Sequence, residues 1–270
     1  MSGAPRAGWR RRPLVAPSVA AHALAAAGIA WQPGAWPWAL GLVLADHALL
    51  TATGLWPRSR GLGPNWTRLP DAPGTRTVAV TIDDGPDPEV TPRMLEVLAR
   101  AGARATFFCV GARVLEQPEL VRAIVRAGHA VENHSQHHLH RFSLLGPAGM
   151  RREIAEAQEA IASATGRPPR FFRAPAGLRN PFLDPVLESL GLSLVSWTRR
   201  GFDTVERDPE TVFARLVRGL AARDIVLLHD GHAARTVAGQ PVALAVLPRL
   251  LAQIEAAGLR TVTLAEVLPA

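Results

Sequence analysis

From Arg76 onward, short runs rich in β-branched and apolar residues alternate with segments of amphipathic helical pattern. The short runs predict strands at 77–82, 104–110, 129–133, 170–174, 192–198, 224–229 and 260–263. The segments between them predict helices at 91–100, 120–127, 150–164, 211–221 and 246–256. This alternation is typical of an α/β fold with a parallel sheet and outer helices, either a barrel or an open doubly wound sheet. In both architectures, functional residues gather at the carboxyl ends of the strands.

Two adjacent aspartates, Asp83 and Asp84, directly follow the first predicted strand. Neighbouring carboxylates repel each other, and one of them would take up a proton unless a cation removes the repulsion. A divalent cation on one aspartate would leave the other free as a base. An Asp-Asp pair alone is more often a solvated turn or a helix cap, so the interpretation needs further ligands.

Histidines supply the further ligands after the third predicted strand. His134 and His138 are four residues apart, which predicts that both imidazoles lie on one side of a helical turn. The other histidines nearby, His129, His137 and His140, are interpreted as structural or as loop residues. Of these three, His137 is the one we expect to touch a substrate.

Three later strands also end in chemically reactive residues. Arg173 follows the fourth strand, Asp203 follows the fifth, and His229 and Asp230 end the sixth. Any one of them could be structural, as an ion pair or a core histidine. Five such sets at the same end of successive strands are hard to obtain from packing needs alone, which indicates an enzyme active site.

These residues form an ordered series of motifs in which the chain resembles the polysaccharide deacetylases, the NodB-homology domains of carbohydrate esterase family 4. The motifs are Thr81-Ile82-Asp83-Asp84-Gly85-Pro86, His134-Ser135-Gln136-His137-His138, Arg173-Ala174-Pro175-Ala176-Gly177, a looser Arg200-Gly201-Phe202-Asp203, and Leu227-Leu228-His229-Asp230. The resemblance covers residues 76–267. It implies a distorted (β/α) barrel of about seven parallel strands, a divalent metal that is commonly zinc, and hydrolysis of N-acetyl or sometimes O-acetyl groups on sugars.

The resemblance also implies a role for each motif residue. The implied metal ligands are Asp84, His134 and His138; the general base is Asp83, oriented by Arg173; the oxyanion donor is the backbone N–H of Ala176, beside Pro175; the general acid is His229, with Asp203 as its partner. Family members often carry tyrosine where this chain has Ala176, which alters one wall of the sugar site. Since the fourth motif is loose, Asp230 is the alternative partner for His229.

The first sixty residues contain two apolar stretches, roughly 14–31 and 36–56, each near the ~20 residues that cross a bilayer. Tryptophans lie at their ends, and arginines flank the pair on both sides, so residues 1–60 predict a two-helix membrane hairpin. A signal sequence or one helix lying along the interface are the alternatives. Asp46, within the second stretch, is interpreted as a polar contact inside the hairpin. Residues 61–75 predict a Pro/Gly-rich linker, and 76–270 the catalytic domain.

Charge is concentrated at the N-terminus. Residues 1–70 carry seven arginines and one acid, and the remainder carries 23 arginines against 22 acids. A nearly balanced folded domain argues against nucleic acid as a partner, so the expected partners are an N-acetylated saccharide and membrane lipid. The single cysteine, Cys109, lies in an apolar run and is interpreted as a core residue.

The expected location is a bacterial inner membrane, but the side of the catalytic domain is open. The flanking arginines favour the cytoplasm, because basic residues flank the cytoplasmic ends of membrane spans. The family resemblance instead suggests envelope glycans outside it. The leading hypothesis is a metal-dependent deacetylase of amino sugars in a polysaccharide or lipid-linked saccharide. An O-acetyl esterase or deformylase on the same scaffold and a non-catalytic saccharide-binding module are the alternatives.

Overall fold

A computed structural model describes residues 12–71 and 75–267. Some predictions fall outside these ranges: Arg10 and Arg11 of the predicted membrane segment, residues 72–74 of the predicted linker and the last three residues of the predicted domain.

The described helices are α1 (Val15–Trp31), α2 (Trp36–Leu55), α3 (Val90–Arg100), α4 (Gly111–Glu116), α5 (Pro118–Arg126), α6 (Pro147–Thr165), α7 (Leu183–Ser189), α8 (Pro209–Val217) and α9 (Val242–Ala256). The described strands are β1 (Thr77–Asp83), β2 (Ala105–Cys109), β3 (Ala130–Asn133), β4 (Phe171–Phe172), β5 (Ser193–Leu194), β6 (Arg199–Arg200), β7 (Ile225–His229) and β8 (Arg260–Thr261). Each helix predicted between strands is present within a few residues. The short α4 and α7 were not predicted.

The strands form one parallel sheet in the order β5-β4-β3-β2-β1-β7-β6, and β8 pairs with β1 alone. Along one edge, β1 changes partner: Thr77 and Val78 pair with β8, whereas Val80 to Asp83 pair with β2. Its other edge pairs with β7 throughout. The longest strand therefore lies at the centre of the sheet, with strands on both sides.

The sheet is strongly curled. Strands β5 and β6 lie at opposite edges of the sheet although only residues 195–198 separate them. A chain of this length spans at most about 18 Å, so the two edges must approach each other. Trp66 forms a parallel bridge to Val195 at this place. The predicted barrel is confirmed, but the single strand predicted at 192–198 is wrong, because the chain leaves one edge of the sheet there and joins the other.

Alternate residues of β1 face two different cores. Val78, Val80 and Ile82 are fully buried in a cluster with the outer helices, including the leucines of α9. Ala79 belongs instead to an inner cluster that contains Phe108 of β2. Because successive strand residues point to opposite faces, Asp83 continues the inner series and points into the barrel.

Helices α1 and α2 form an antiparallel hairpin joined by a 3-10 turn. Within it, Ser18 donates a hydrogen bond of 2.7 Å to Asp46, as the sequence interpretation expected. Among the described residues, one segment, Pro33–Leu55, is long and apolar enough to cross a membrane, with a mean hydropathy of 1.4; α1 is shorter. Three tryptophans around the turn are exposed: Trp31, Trp36 and Trp38. The membrane assignment itself stays a prediction.

The base of the hairpin is attached to the barrel. Arg12 forms a salt bridge of 2.6 Å with Asp184 of α7. In α2, the carbonyl of Gly54 accepts a hydrogen bond of 3.1 Å from the Arg179 amide. A Cβ atom on Gly54 would lie 2.2 Å from the Arg179 carbonyl oxygen, so the two backbones approach closely. The hairpin and the barrel therefore meet through direct backbone contact.

The described part of the predicted linker also packs against the barrel. Leu62 and Leu69 are buried, and the Trp66 amide donates a hydrogen bond of 2.9 Å to the Leu194 carbonyl. The Asn65 amide group donates to the carbonyls of Pro57 and Ser59, which fixes the turn that follows α2. The domain boundaries at 60 and 75 stay predictions, but residues 57–71 lie on the barrel surface.

Candidate active site

Two of the predicted site residues face each other across neighbouring strands. In the parallel register of β1 and β7, Asp83 is paired with His229, and on its other side Asp83 is paired with Phe108 of β2. Asp83 points into the barrel at the carboxyl end of its strand, and both Asp83 and His229 are buried. The strand register alone therefore brings the predicted base and the predicted acid to the same end of the barrel.

The next residue, Asp84, turns away from the strand direction because its backbone is left-handed, with φ of 78°. Its Oδ1 atom lies 3.2 Å from Nε2 of His134 and 3.2 Å from Nε2 of His138. The His134 ring is held by its Nδ1, which donates a hydrogen bond of 2.8 Å to the Arg173 carbonyl. This bond fixes the tautomer that leaves the Nε2 lone pair facing Asp84.

The two histidines do not lie on a helical turn, and that prediction is wrong. They belong to an irregular loop after β3 in which Ser135 and His138 both have left-handed backbones, with φ of 63° and 49°. The loop reverses direction at Ser135, whose amide donates to the side chain of Asn133, and this brings the imidazoles together. The two predicted histidines therefore lie close together, with ring centres 4.9 Å apart, for a reason other than helical periodicity.

These three side chains fit a divalent metal. One ligand atom from each lies within 4.8 Å of the others, and Asp84 and His134 are buried. One carboxylate and two imidazoles form a donor set suited to zinc, and three protein ligands leave coordination positions open. The arrangement can therefore hold a cation and still admit water and a substrate oxygen.

Burial and charge set the protonation of the three candidate ligands. Burial alone would raise the pKa of Asp84, but hydrogen bonds from His134 and His232 lower that pKa well below its usual range. Burial lowers the pKa of His138 to about 4, so its ring is neutral at neutral pH and able to bind a metal. For His134, burial lowers the pKa, but the charges of Asp83 and Asp84 raise it overall.

Arg173 lies inside the barrel, fully buried, and holds Asp83. Its guanidinium donates a hydrogen bond of 2.6 Å to Asp83 Oδ1 and others to the Thr81 hydroxyl and the Ser196 carbonyl. It also lies 4.2 Å from the centre of the Phe108 ring. These contacts hold the Arg173 guanidinium in place, and it in turn fixes Oδ1 of Asp83. The other carboxylate oxygen, Oδ2, lies 3.9 Å from Nε2 of His134.

His229 is paired with Asp203 and not with Asp230. Asp203 Oδ1 lies 2.9 Å from Nδ1 of the His229 ring, and its Oδ2 accepts a hydrogen bond from the His229 backbone amide. Burial lowers the pKa of His229, but the charge and hydrogen bond of Asp203 outweigh it and raise the pKa to about 9. The imidazole is therefore protonated at neutral pH, with Nδ1 occupied and Nε2 directed elsewhere.

Asp230 has a different environment. It accepts hydrogen bonds from the Thr91 hydroxyl and the Gly231 amide, and burial raises its pKa to about 7. It packs directly against Gly85, where a Cβ atom would lie 2.2 Å from its carboxylate. This contact joins the loop after β1 to the loop after β7, so Asp230 holds the site together and does not face the His229 ring.

Pro175 and Ala176 lie in a 3-10 turn, Pro175–Gly177, in which Ala176 has a left-handed backbone with φ of 54°. Ala176 lines the active-site cavity. The turn is held from behind, because a Cβ atom on Gly177 would lie 2.6 Å from Trp197 and 2.7 Å from Pro57. The position of the predicted oxyanion turn therefore depends on the residue that follows the hairpin.

These side chains surround a cavity of about 710 Å³. It is lined by the predicted site residues Asp83, Asp84, His134, His138, Ala176 and His229 and also by Arg113, Trp197, Arg200 and His232. His232 was missed from the sequence, although its Nδ1 lies 3.4 Å from Asp84 Oδ2; its position three residues after His229 was the available signal. Trp197 was also missed, because it lay inside the strand predicted at 192–198, and Arg200 appeared in the fourth motif without an assigned role.

The three histidines that the sequence left as structural or loop residues divide as follows. His137 and His140 line the cavity, so His137 lies where the predicted contact with a substrate requires it. The His137 ring also lies 2.8 Å from the Glu153 carboxylate. His129 lies outside this cavity, and its ring nitrogen accepts a hydrogen bond from the Ala105 amide, which is a structural contact. Cys109 is fully buried.

Comparisons with known proteins agree with this geometry. A family model described as polysaccharide deacetylase matches residues 71–195. A peptidoglycan-N-acetylglucosamine deacetylase of Bacillus cereus is 32% identical over 195 residues, which is 72% of this chain and 88% of the relative. A chitooligosaccharide deacetylase of a Bradyrhizobium strain is 37% identical over 163 residues, 60% of this chain and 74% of the relative.

Solved structures give the same grouping. A family 4 carbohydrate esterase from Streptomyces lividans, solved in complex with acetate, superposes with a TM-score of 0.62 and 35% identity, over 68% of this chain and 91% of that one. The range matched by the family model contains strands β1 to β5 and the strand-end residues from Asp83 to Arg173. This chain belongs to the polysaccharide deacetylase family, the NodB-homology group of carbohydrate esterase family 4.

Proposed function

We propose that this protein is a metal-dependent hydrolase that removes N-acetyl groups from amino sugars of a saccharide. The observation that carries the proposal is the meeting of three separate units in one cavity: the Asp84–His134–His138 trio, the Asp83–Arg173 pair and the His229–Asp203 pair. Metal binding alone would need only the trio. A buried base and a buried, protonated acid beside it are what amide hydrolysis requires.

Asp84, His134 and His138 would hold the metal, and zinc fits this donor set best. When bound, such a cation polarises a carbonyl oxygen and lowers the pKa of water. The left-handed Asp84 backbone aims its carboxylate at the histidines, while Asp83, one residue earlier, keeps pointing into the barrel. Two adjacent carboxylates thus acquire separate tasks.

Asp83 would act as the general base. Arg173 holds its Oδ1 through a charge-assisted hydrogen bond, which leaves Oδ2 as the oxygen able to accept a proton from the attacking water. As the water oxygen adds to the acetamide carbon, the carbonyl becomes a tetrahedral oxyanion. The backbone N–H of Ala176, beside Pro175, would stabilise this oxyanion from the cavity wall.

His229 would act as the general acid. Its Nδ1 is engaged by Asp203, so Nε2 is the nitrogen that can donate a proton to the departing amine. Since its pKa is raised to about 9, the proton is present before the reaction begins. The carbon–nitrogen bond then breaks, giving acetate and a free amino sugar.

We also infer that the hairpin anchors the enzyme in a membrane. Support comes from the apolar Pro33–Leu55 segment, from the exposed tryptophans at its far end and from arginines at its base. A signal sequence passes the same test of length and composition. The relatives' names point to peptidoglycan and chito-oligosaccharides as polymers of the right chemistry, and a lipid-linked N-acetylated saccharide shares the reacting group.

The test compares two variants of the full chain, both purified in detergent and reloaded with zinc. Asp83→Asn should keep one bound metal but lower acetate release about 100-fold or more, which is the typical contribution of a general base. His134→Ala should lose the metal as well. Substrates are a chito-oligosaccharide, a peptidoglycan fragment and a lipid-linked N-acetylglucosamine.

Two results would contradict the proposal. One is a wild-type chain that binds zinc and is folded but releases no acetate from any of the three substrates. The other is an Asp83→Asn variant with undiminished hydrolysis, which would remove Asp83 from the mechanism. Circular dichroism spectra of each variant exclude loss of fold as the cause.

A further inference from the structure

Two arginines that line the active-site cavity, Arg113 and Arg200, have no task in the mechanism above, and Arg113 lies 3.2 Å from the His232 ring. Arg200 lines the cavity, and its guanidinium makes no hydrogen bond or ion pair within residues 12–71 and 75–267. Its Nε atom is buried without a partner. Its neighbour Arg199 differs, since Arg199 donates a hydrogen bond of 2.7 Å to Asp224. Arg200 is thus a charged group at the cavity that no described residue neutralises.

Two aromatic rings fix the orientation of this guanidinium. The Arg200 guanidinium carbon lies 5.2 Å from the centre of the Trp197 ring and 4.9 Å from that of Phe202. Contacts with aromatic faces hold a guanidinium without using its N–H groups. A planar fork of N–H donors suits a phosphate or a carboxylate, which can accept two parallel hydrogen bonds. The geometry is that of a preformed site for an oxyanion.

The wall that carries Arg200 contacts the segment that directly follows the hairpin. The Ser196 hydroxyl donates a hydrogen bond of 2.6 Å to the Pro57 carbonyl, and Arg58 lies 3.4 Å from the Thr198 carbonyl. Pro57 follows α2 by two residues. Ser196, Trp197 and Thr198 lead directly into β6 and Arg200. The unpaired charge therefore lies on the side of the cavity nearest the hairpin.

We propose that Arg200 binds a phosphate group on the substrate, and that the substrate is an N-acetylated amino sugar carried by its anomeric phosphate on a membrane lipid. This inference rests on the proposed function and names its substrate class. A sugar anchored through phosphate presents that group on the membrane side, while its acetamide extends toward the trio and Asp83. A neutral polymer has no group for this site.

The experiment uses the full chain in detergent micelles with zinc restored. Three substrates are compared: neutral diacetylchitobiose, soluble N-acetylglucosamine 1-phosphate and N-acetylglucosamine linked through phosphate to a polyprenol. The quantity measured is the ratio of kcat/KM for each phosphorylated sugar to kcat/KM for the neutral sugar. The soluble phosphate separates recognition of the phosphate from partition of the lipid into the micelle.

Arg200→Gln should lower this ratio about tenfold or more for both phosphorylated sugars. Arg200→Lys, which keeps the charge but not the fork, should fall between Arg200→Gln and the wild type. The matched control is Arg126→Gln, an exposed arginine at the end of α5 outside this cavity, which removes the same charge and should leave the ratio unchanged. A ratio equally insensitive to Arg200→Gln and Arg126→Gln would overturn the inference.

Two further arms keep this inference separate from the proposed function. Binding of N-acetylglucosamine 1-phosphate to the Asp83→Asn chain, measured by calorimetry, should weaken about tenfold on adding Arg200→Gln, and this needs no turnover. If the wild-type chain releases acetate but this binding does not depend on Arg200, the proposed function stands and the phosphate site at Arg200 is refuted. The second arm uses a carboxylated sugar, N-acetylmuramic acid. If this sugar binds as tightly as the phosphorylated sugars and its affinity depends on Arg200 to the same extent, the lipid-phosphate assignment is overturned.

Discussion

The Asp203–His229 pair allows a quantitative prediction for the variant Asp203→Asn. The asparagine keeps the shape of the side chain and one acceptor oxygen but removes the charge that faces the imidazole at 2.9 Å. A buried, charge-assisted hydrogen bond contributes ~1.5–3 kcal/mol, which corresponds to about one to two pKa units. The pKa of His229 should therefore fall from about 9 toward about 7.

The expected consequence is a shift of the pH–rate profile. At pH 8 the protonated fraction of His229 falls from roughly 0.9 to roughly 0.1 if its pKa moves from about 9 to about 7. The kcat of acetate release should drop about tenfold at pH 8 and change little at pH 6, where both forms of the enzyme are protonated. The assay is a pH series of kcat on the zinc-loaded full chain.

The control is Asp230→Asn, which removes the neighbouring buried carboxylate that does not face the imidazole. The alkaline limb of the pH–rate profile of this variant should stay at the wild-type pH, even if the overall rate changes. A loss of kcat in Asp203→Asn that is the same at pH 6 and pH 8, with the alkaline limb unmoved, would refute the role of Asp203 in keeping His229 protonated. Direct titration of the His229 ring by nuclear magnetic resonance gives the same quantity without turnover.

Two other predictions concern stability. Burial raises the pKa of Glu132 to about 7 despite hydrogen bonds from two backbone amides, so the fold loses stability as pH rises from the ordinary value of 4.5 through 7. Glu132→Gln avoids that charge. The melting temperature of this variant minus that of the wild type should be larger at pH 8 than at pH 5, by an amount that corresponds to at most ~3 kcal/mol. The same difference at both pH values would contradict this prediction. Gly54→Ala should destabilise the hairpin contact by about 1–3 kcal/mol, because its Cβ would lie 2.2 Å from the Arg179 carbonyl oxygen. Gly41→Ala, on the same helix with nothing within 4 Å, is its control in thermal unfolding, and equal melting temperatures for the two variants would contradict the contact.

The sequence was most informative where one rule of local structure applied. The alternation of strand and helix patterns predicted a parallel sheet with outer helices, either a barrel or an open doubly wound sheet, and the family resemblance selected the barrel. The strand-end residues were brought together by the parallel register, which places Asp83 beside His229 without any information on side chains. Long, periodic α6 and α9 were equally clear.

What the sequence did not predict depends on backbone conformations without a periodic signal. The loop that joins His134 to His138 turns through left-handed Ser135, which no spacing rule describes. Strand β6 is two residues long, and its separation from β5 is a property of sheet closure and not of the local sequence. Arg200 and His232 reach the cavity from such segments, so their roles became visible only once the chain was folded.

The contact between Gly54 and Arg179 has a mechanical consequence. A tether of loose chain would let a catalytic head swing outward and sample a thick layer of polymer. Here only Trp56 separates α2 from Pro57, which lies against the predicted oxyanion turn, so the candidate active site has a fixed height above the end of the hairpin. If that hairpin lies in a bilayer, the enzyme meets its substrates by lateral diffusion in two dimensions, and sugars beyond the first layer are out of its reach.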